Sequence, residues 1–62
     1  MKKRDLERQL RDLGWWYLRA GGSHDIWTNG TLKTPVPRHA EIKEMTSKGI
    51  LDKAEKNPPI KK

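Results

Sequence analysis

Two histidines, no cysteine and 14 Lys and Arg residues bound the chemistry open to this 62-residue chain. An imidazole can take and give a proton near neutral pH, and guanidinium or ammonium groups hold phosphate oxygens. His24 stands in GGSHDIWTNG, residues 21–30, between a glycine pair and a strand-like run. His39 stands in VPRHAE, after the third apolar run. His24, Asp25 and His39 have no compact ligand spacing, and thiols are absent, so a zinc site is not expected. The chain is read as needing no metal and no cofactor.

The turns decide which side chains can meet His24. A two-residue turn at Gly21-Gly22 places Ala20 opposite Ser23, and therefore Arg19 opposite His24. Opposite residues on antiparallel strands share a face, with Cβ atoms about 4.5–5.5 Å apart. Tyr17 then pairs with Ile26. A second turn at Asn29-Gly30 pairs Thr28 with Thr31 and Ile26 with Lys33. This register gathers Tyr17, Arg19, His24, Ile26 and Lys33 on one face. It leaves Trp16, Leu18, Ala20, Trp27, Leu32 and Val36 for the core side. Trp15 is expected at the sheet margin, against the first helix.

A histidine beside two cations and a phenol is equipped to cleave RNA through its own 2′-hydroxyl. His24 removes the 2′-OH proton, the oxygen attacks the neighbouring phosphorus, and Arg19 or Lys33 stabilises the added negative charge. Each residue also has an ordinary role. A histidine near a hairpin is commonly just solvated, Ser23 can make a local turn as readily as a phosphate contact, and Trp16 and Trp27 read as core. If the chain stays extended, roughly 3.3 Å per residue carries His39 more than about 10 Å past the position opposite His24. A second histidine for proton transfer therefore needs a bend; water, Tyr17 and His39 all stay open for that role.

The elements that position these residues are legible in outline. Leu6, Leu10 and Leu13 recur on one face of a helix, read from Lys3 to Leu13 and closed by Gly14. Strands follow at 15–20, 24–28 and 31–36; Pro35 and Pro37 confine the third to an edge or end it. Thr46 reads as the N-cap of a helix to about Lys56, with Ile42, Met45, Ile50, Leu51 and Ala54 as its apolar side. The fold class is α+β, in the order α-β-β-β-α, with both helices on one face of a three-stranded antiparallel sheet. Residues 1–56 form one domain, and residues 57–62 a loose tail.

Composition narrows the function. A chain this short buries only about 60% of the surface it exposes unfolded, so a deep cofactor cavity is not expected. The net charge of +6 favours phosphate backbones or acidic protein surfaces. No apolar run approaches the roughly 20 residues of a membrane span, and a cytoplasmic location is expected. A non-catalytic RNA-binding module on the same fold accounts for the charge equally well.

Several short elements together resemble a known family, the HicA toxins of type II toxin–antitoxin systems. Leu13-Gly14-Trp15 ends the first helix in the family manner, and Arg19 leads to Gly22-Ser23-His24, the family's Gly-Ser-His motif. Val36-Pro37-Arg38-His39 is similar to its Val-Pro-Arg-His element. Glu41-Ile42-Lys43 and Thr46 through Ile50-Leu51 are similar to its closing helix. The resemblance covers about residues 3 to 56. It implies a fold like that of double-stranded-RNA-binding domains, endoribonuclease action on mRNA, and a HicB-type antitoxin that masks the site. The family's catalytic histidine falls on His24; Ser23, Arg38, Arg19, Lys33 and Tyr17 are the accompanying candidates for RNA or phosphate contact. Ser47 stands where the family often has leucine, which shifts expected packing onto Met45.

Overall fold

The computed structural model describes residues 1–59 and has five elements: α1 (Lys3–Asp12), β1 (Trp16–Gly21), β2 (His24–Thr28), β3 (Lys33–Pro37) and α2 (Glu44–Lys56). The order α-β-β-β-α and the α+β class agree with the sequence reading. The sheet is antiparallel, in the order β1-β2-β3.

α1 forms because its leucines fall on one side, and Leu6 and Leu10 are fully buried. Its end is built by Gly14, whose φ of 90° few other residues tolerate. The Gly14 N–H donates to the Arg11 carbonyl and the Trp15 N–H to that of Leu10, each at 2.9 Å, which satisfies two helix-end carbonyls. Trp15 thereby turns into the core beside Leu10. Instead of lying at the sheet margin, it is one of the largest buried side chains.

Both helices pack on one side of the sheet. Leu6 and Leu10 of α1 and Ile50 and Ala54 of α2 meet Trp15, Trp27, Val36 and Ile42 in one cluster. Arg11 caps it, its guanidinium 5.3 Å from the centroid of the Trp27 ring. The Trp27 Nε1 is buried and has no hydrogen-bond partner among the described residues. The connection into α2 is tied back to the chain start. Met1 and Ile42 exchange hydrogen bonds at 2.8 and 2.9 Å, and the Lys3 N–H donates to the Ala40 carbonyl.

The register differs from the expected one in three places. The first turn consists of Gly22 and Ser23, so Gly21, not Arg19, lies opposite His24. The second connection takes four residues, Asn29 to Leu32, and pairs Thr28 with Lys33 and His24 with Pro37. Asn29 causes this lengthening. Its Oδ1 accepts the N–H groups of Thr31 and Leu32 at 2.8 and 2.7 Å, which closes a side-chain turn in place of a tight two-residue one. Between Tyr17 and Arg19 the β1–β2 pairing slips by one residue, a bulge at Leu18.

The bulge exchanges the faces of the residues before it. Tyr17 pairs with Trp27 and turns to the helix side, its ring edge-on to Trp27 at 6.4 Å, so it does not share a face with His24. Trp16 lies on the open side, 45% exposed, and not in the core. Leu18 and Leu32 are also exposed rather than packed beneath the helices.

α2 begins at Glu44, two residues before the expected cap at Thr46, and Ile42 fills the core from the segment ahead of it. Met45 is 86% exposed and carries no core packing; Ser47 occupies the buried position, its hydroxyl donating to the Lys43 carbonyl. Residues 57–59 are held in place. The Asn57 carbonyl accepts the Trp15 Nε1–H at 3.1 Å and the Asn29 Nδ2–H at 2.8 Å, and Pro59 lies against Gly14. The rest of the expected loose tail, residues 60–62, lies outside the described residues.

Candidate active site

His24 opens β2 and is exposed; strand alternation sets it on the sheet face opposite to the buried Trp27. Its immediate partner is Ser23, whose Oγ lies 3.3 Å from the imidazole Nδ1. Ser23 therefore addresses the ring itself, at the corner of the turn.

The bulge at Leu18 determines where Arg19 goes. An unbroken register from Tyr17 opposite Trp27 would put Arg19 opposite Asp25, on the helix side. The extra residue instead sets Arg19 opposite Ile26, which shares the His24 face. From there the side chain leans back toward the first turn. Its Nη1 comes within 3.5 Å of where a Cβ on Gly21 would sit, and Gly21 is the residue opposite His24. The expected pairing of Arg19 with His24 is thus replaced by a diagonal arrangement across a glycine.

Arg38 arrives from the other side. Its Nε donates to Asp25 Oδ1 at 2.9 Å, and its Nη2 lies 3.4 Å from the His24 carbonyl oxygen. Asp25 turns to the helix side, because strand alternation sets it opposite to His24. There it also receives Lys3 Nζ at 3.1 Å, and Lys3 in turn holds Glu7 at 2.6 Å. The Arg38 hydrogen bond, followed by that of Lys3, holds the Asp25 carboxyl below the usual aspartate range. The Glu7 hydrogen bond is the main cause raising Lys3 above its ordinary value. The sequence reading weighs Asp25 only as a metal ligand and gives it no pairing role. Its signal was there: a carboxylate alternating with His24 in a strand whose core side is otherwise apolar must find a cation.

Lys33 is on the His24 face but at the other end of it. It pairs with Thr28, four residues along β2 from His24, about 13 Å at 3.3 Å per residue. Tyr17 is on the opposite face. His39 comes closer than expected, because Pro37 occupies the position opposite His24 and His39 follows two residues later, about 7 Å along an extended chain. At the β3 edge His24 also lines a shallow groove of about 350 Å³, shared with Pro35 and Pro37 of β3 and Met45, Thr46 and Gly49 of α2.

Asp25 is the one carboxylate in the three strands, and it faces inward and is paired. The open face is left with His24, Arg19 and Lys33 as its ionisable groups, a surface suited to an anionic chain. A family model described as the HicA toxin of bacterial toxin–antitoxin systems matches residues 4–55. The chain belongs to the HicA toxin family. No curated protein and no solved structure matches it. As a HicA family member it has a toxin's role, and an antitoxin is its counterpart. The HicA match takes in the whole His24 face, and Asn57, which clamps Trp15 and Asn29, lies just beyond it. Among the described residues no helix is long and apolar enough to cross a membrane.

Proposed function

We propose that this HicA family member is an endoribonuclease that cleaves mRNA by attack of the 2′-hydroxyl on the adjacent phosphorus. His24 accepts the 2′-OH proton. The 2′-oxygen bonds to phosphorus, the bond from phosphorus to the 5′-oxygen breaks, and the products are a 2′,3′-cyclic phosphate and a 5′-hydroxyl. The leaving oxygen takes its proton from water or from His39. Arg19, which shares the His24 face, offsets the charge that builds on the phosphoryl oxygens, with Arg38, held at the His24 carbonyl, as the second candidate for that role. Every atom of the reaction comes from RNA, protein or water, so no metal ion is invoked. Inhibition of translation and growth follows from loss of mRNA. Neutralisation falls to a HicB-type antitoxin, and the +6 charge favours an acidic surface on that partner.

The observation that carries this reading is an exposed histidine on a sheet face whose strands bring no carboxylate to it, with Arg19 on that face leaning over the facing Gly21 and Arg38 at the His24 backbone carbonyl. The test is His24→Ala, assayed on RNA in the presence of a chelator. Loss of a general acid–base group costs about 10²–10⁴-fold in rate. The variant is expected to keep its fold and lose both cleavage and toxicity. Cleavage by the folded variant at the wild-type rate would remove His24 from the mechanism. RNA binding by the wild type without cyclic-phosphate ends would instead identify a binding module. Co-production of the antitoxin is expected to restore growth.

A further inference from the structure

Trp16 is the exposed member of a tryptophan trio whose other two members are buried, and its position is not accidental. It pairs with Thr28, which pairs with Lys33, so indole and ammonium stand in one row, with the buried Thr28, whose hydroxyl is bonded within its own loop, between them. Arg19, Ile26 and Pro35 form the next row, and Gly21, His24 and Pro37 the row after it. The benzo edge of the indole rests on Gly30, whose absent Cβ would lie 3.3 Å from the ring. A Cβ at Gly30 would crowd the ring edge by a few tenths of an ångström. The indole is therefore held along one edge while much of its surface stays open to solvent.

We infer that Trp16 is a stacking subsite for a base of the single-stranded RNA substrate, with Lys33 holding the phosphate beside it. This rests on the ribonuclease reading and adds a direction to it. The RNA runs along β2, from the scissile phosphate at His24, past Arg19, to the base on Trp16. The occupant follows from charge and shape. The face carries cations and no carboxylate, and a flat indole offers a π-face to any base. The distance from the His24 row to the Trp16 row, about 13 Å at 3.3 Å per residue, suits a short extended segment rather than one nucleotide. It also gives a function to Lys33, which is too far from His24 to serve the reacting phosphate.

The experiment uses the full chain carrying His24→Ala, so that RNA is bound and not cut, and an unstructured oligouridylate as probe. Trp15 and Trp27 are buried, so the RNA-sensitive part of the tryptophan fluorescence belongs to Trp16. Saturable quenching on titration is expected, and it disappears in the Trp16→Leu background. Trp16→Leu is expected to weaken binding about 5- to 100-fold, with Trp16→Tyr recovering much of it, because stacking needs a ring rather than an indole. Lys33→Ala is expected to weaken binding and reduce its salt dependence. Oligouridylate that binds with unchanged affinity to Trp16→Leu, or without quenching, overturns the subsite and leaves the His24 cleavage assay untouched. A change in self-association of Trp16→Leu with RNA affinity intact also overturns it, and marks the face as an interface between copies. If oligouridylate does not bind and the wild type does not cleave RNA, the subsite falls together with the ribonuclease reading.

Discussion

Arg19 reaches toward His24 across Gly21, a residue with no side chain to keep them apart. A Cβ built on Gly21 would lie 2.7 Å from Ile26 Cγ1, 2.9 Å from its Cδ1 and 3.5 Å from Arg19 Nη1. The glycine is thus a gap into which one apolar and one charged side chain lean.

Gly21→Ala is expected to force Ile26 aside and to fill the gap across which the guanidinium leans toward His24. Overpacking of this kind costs about 1–3 kcal/mol, read as a lower urea midpoint, and cleavage falls as well. Arg19→Ala separates the two effects. Its side chain is exposed, so stability changes by about 0.5 kcal/mol or less while cleavage drops. Equal stability losses in both variants would mean that Arg19 is structural.

The Asp25 carboxyl gives the protein a pH signature. Its folded value is depressed by Arg38 and then Lys3, so its stabilising effect is present above the ordinary aspartate value of about 3.9. That effect is lost as pH falls through the lower folded value. Asp25→Asn is expected to be less stable than wild type at neutral pH, and the two stability curves converge as acid protonates the wild-type carboxylate. Parallel curves down to low pH would show that Asp25 contributes through its shape alone. Because Asp25 holds Arg38 next to the His24 carbonyl, Asp25→Asn is also expected to slow RNA cleavage at neutral pH.

Asn29 holds the far end of the sheet to the segment after α2. Its side chain caps two N–H groups of its own loop and donates to the Asn57 carbonyl, and the residue is buried. Asn29→Ala leaves buried polar groups without partners, a loss of about 1–3 kcal/mol. In a domain of this size each kcal/mol lowers the melting temperature by about 4–8 °C, measurable by circular dichroism. Asn29→Asp keeps the acceptor and loses the donor, and an intermediate melting temperature is expected.

Gly49 lies inside α2, and among the described residues nothing beyond its own helix comes within 4 Å of where its Cβ would be. Gly49→Ala is therefore expected to stabilise the protein by about 0.5–1 kcal/mol, since alanine loses less backbone freedom in a helix and meets no obstacle here. A destabilised Gly49→Ala would reveal a neighbour that the geometry does not contain.

How much of this could be read from the sequence depends on the range of each signal. Leu6 and Leu10 marked α1 because helical spacing is local, and the bounds of β2 were legible from HDIWT. In both hairpins the expected pairing was displaced by an even step. Arg19 and Lys33 therefore stayed on the His24 face although each had the wrong partner. Trp16 and Tyr17 changed faces because of the bulge. Trp16, Tyr17 and Leu18 are all large, so alternation there has no contrast to reveal one. Asn29-Gly30 carried the mark of a tight turn, and a contact to Asn57, remote in sequence, favoured the longer loop. The Asp25–Arg38 pair was hidden for the same reason: it joins a strand to the residue just past another strand.

The outer strands have one more consequence. A sheet of three strands that does not close on itself presents two rims, and each could recruit a strand from another molecule. On β3 the rim is spoiled by Pro35 and Pro37, which have no N–H to offer a newcomer. On β1 it is spoiled by the bulge at Leu18, which breaks the regular ladder a newcomer would have to match. The irregularity that turns Arg19 toward His24 thus also blunts a site of aggregation, so the working face can stay bare without the sheet growing into a fibre.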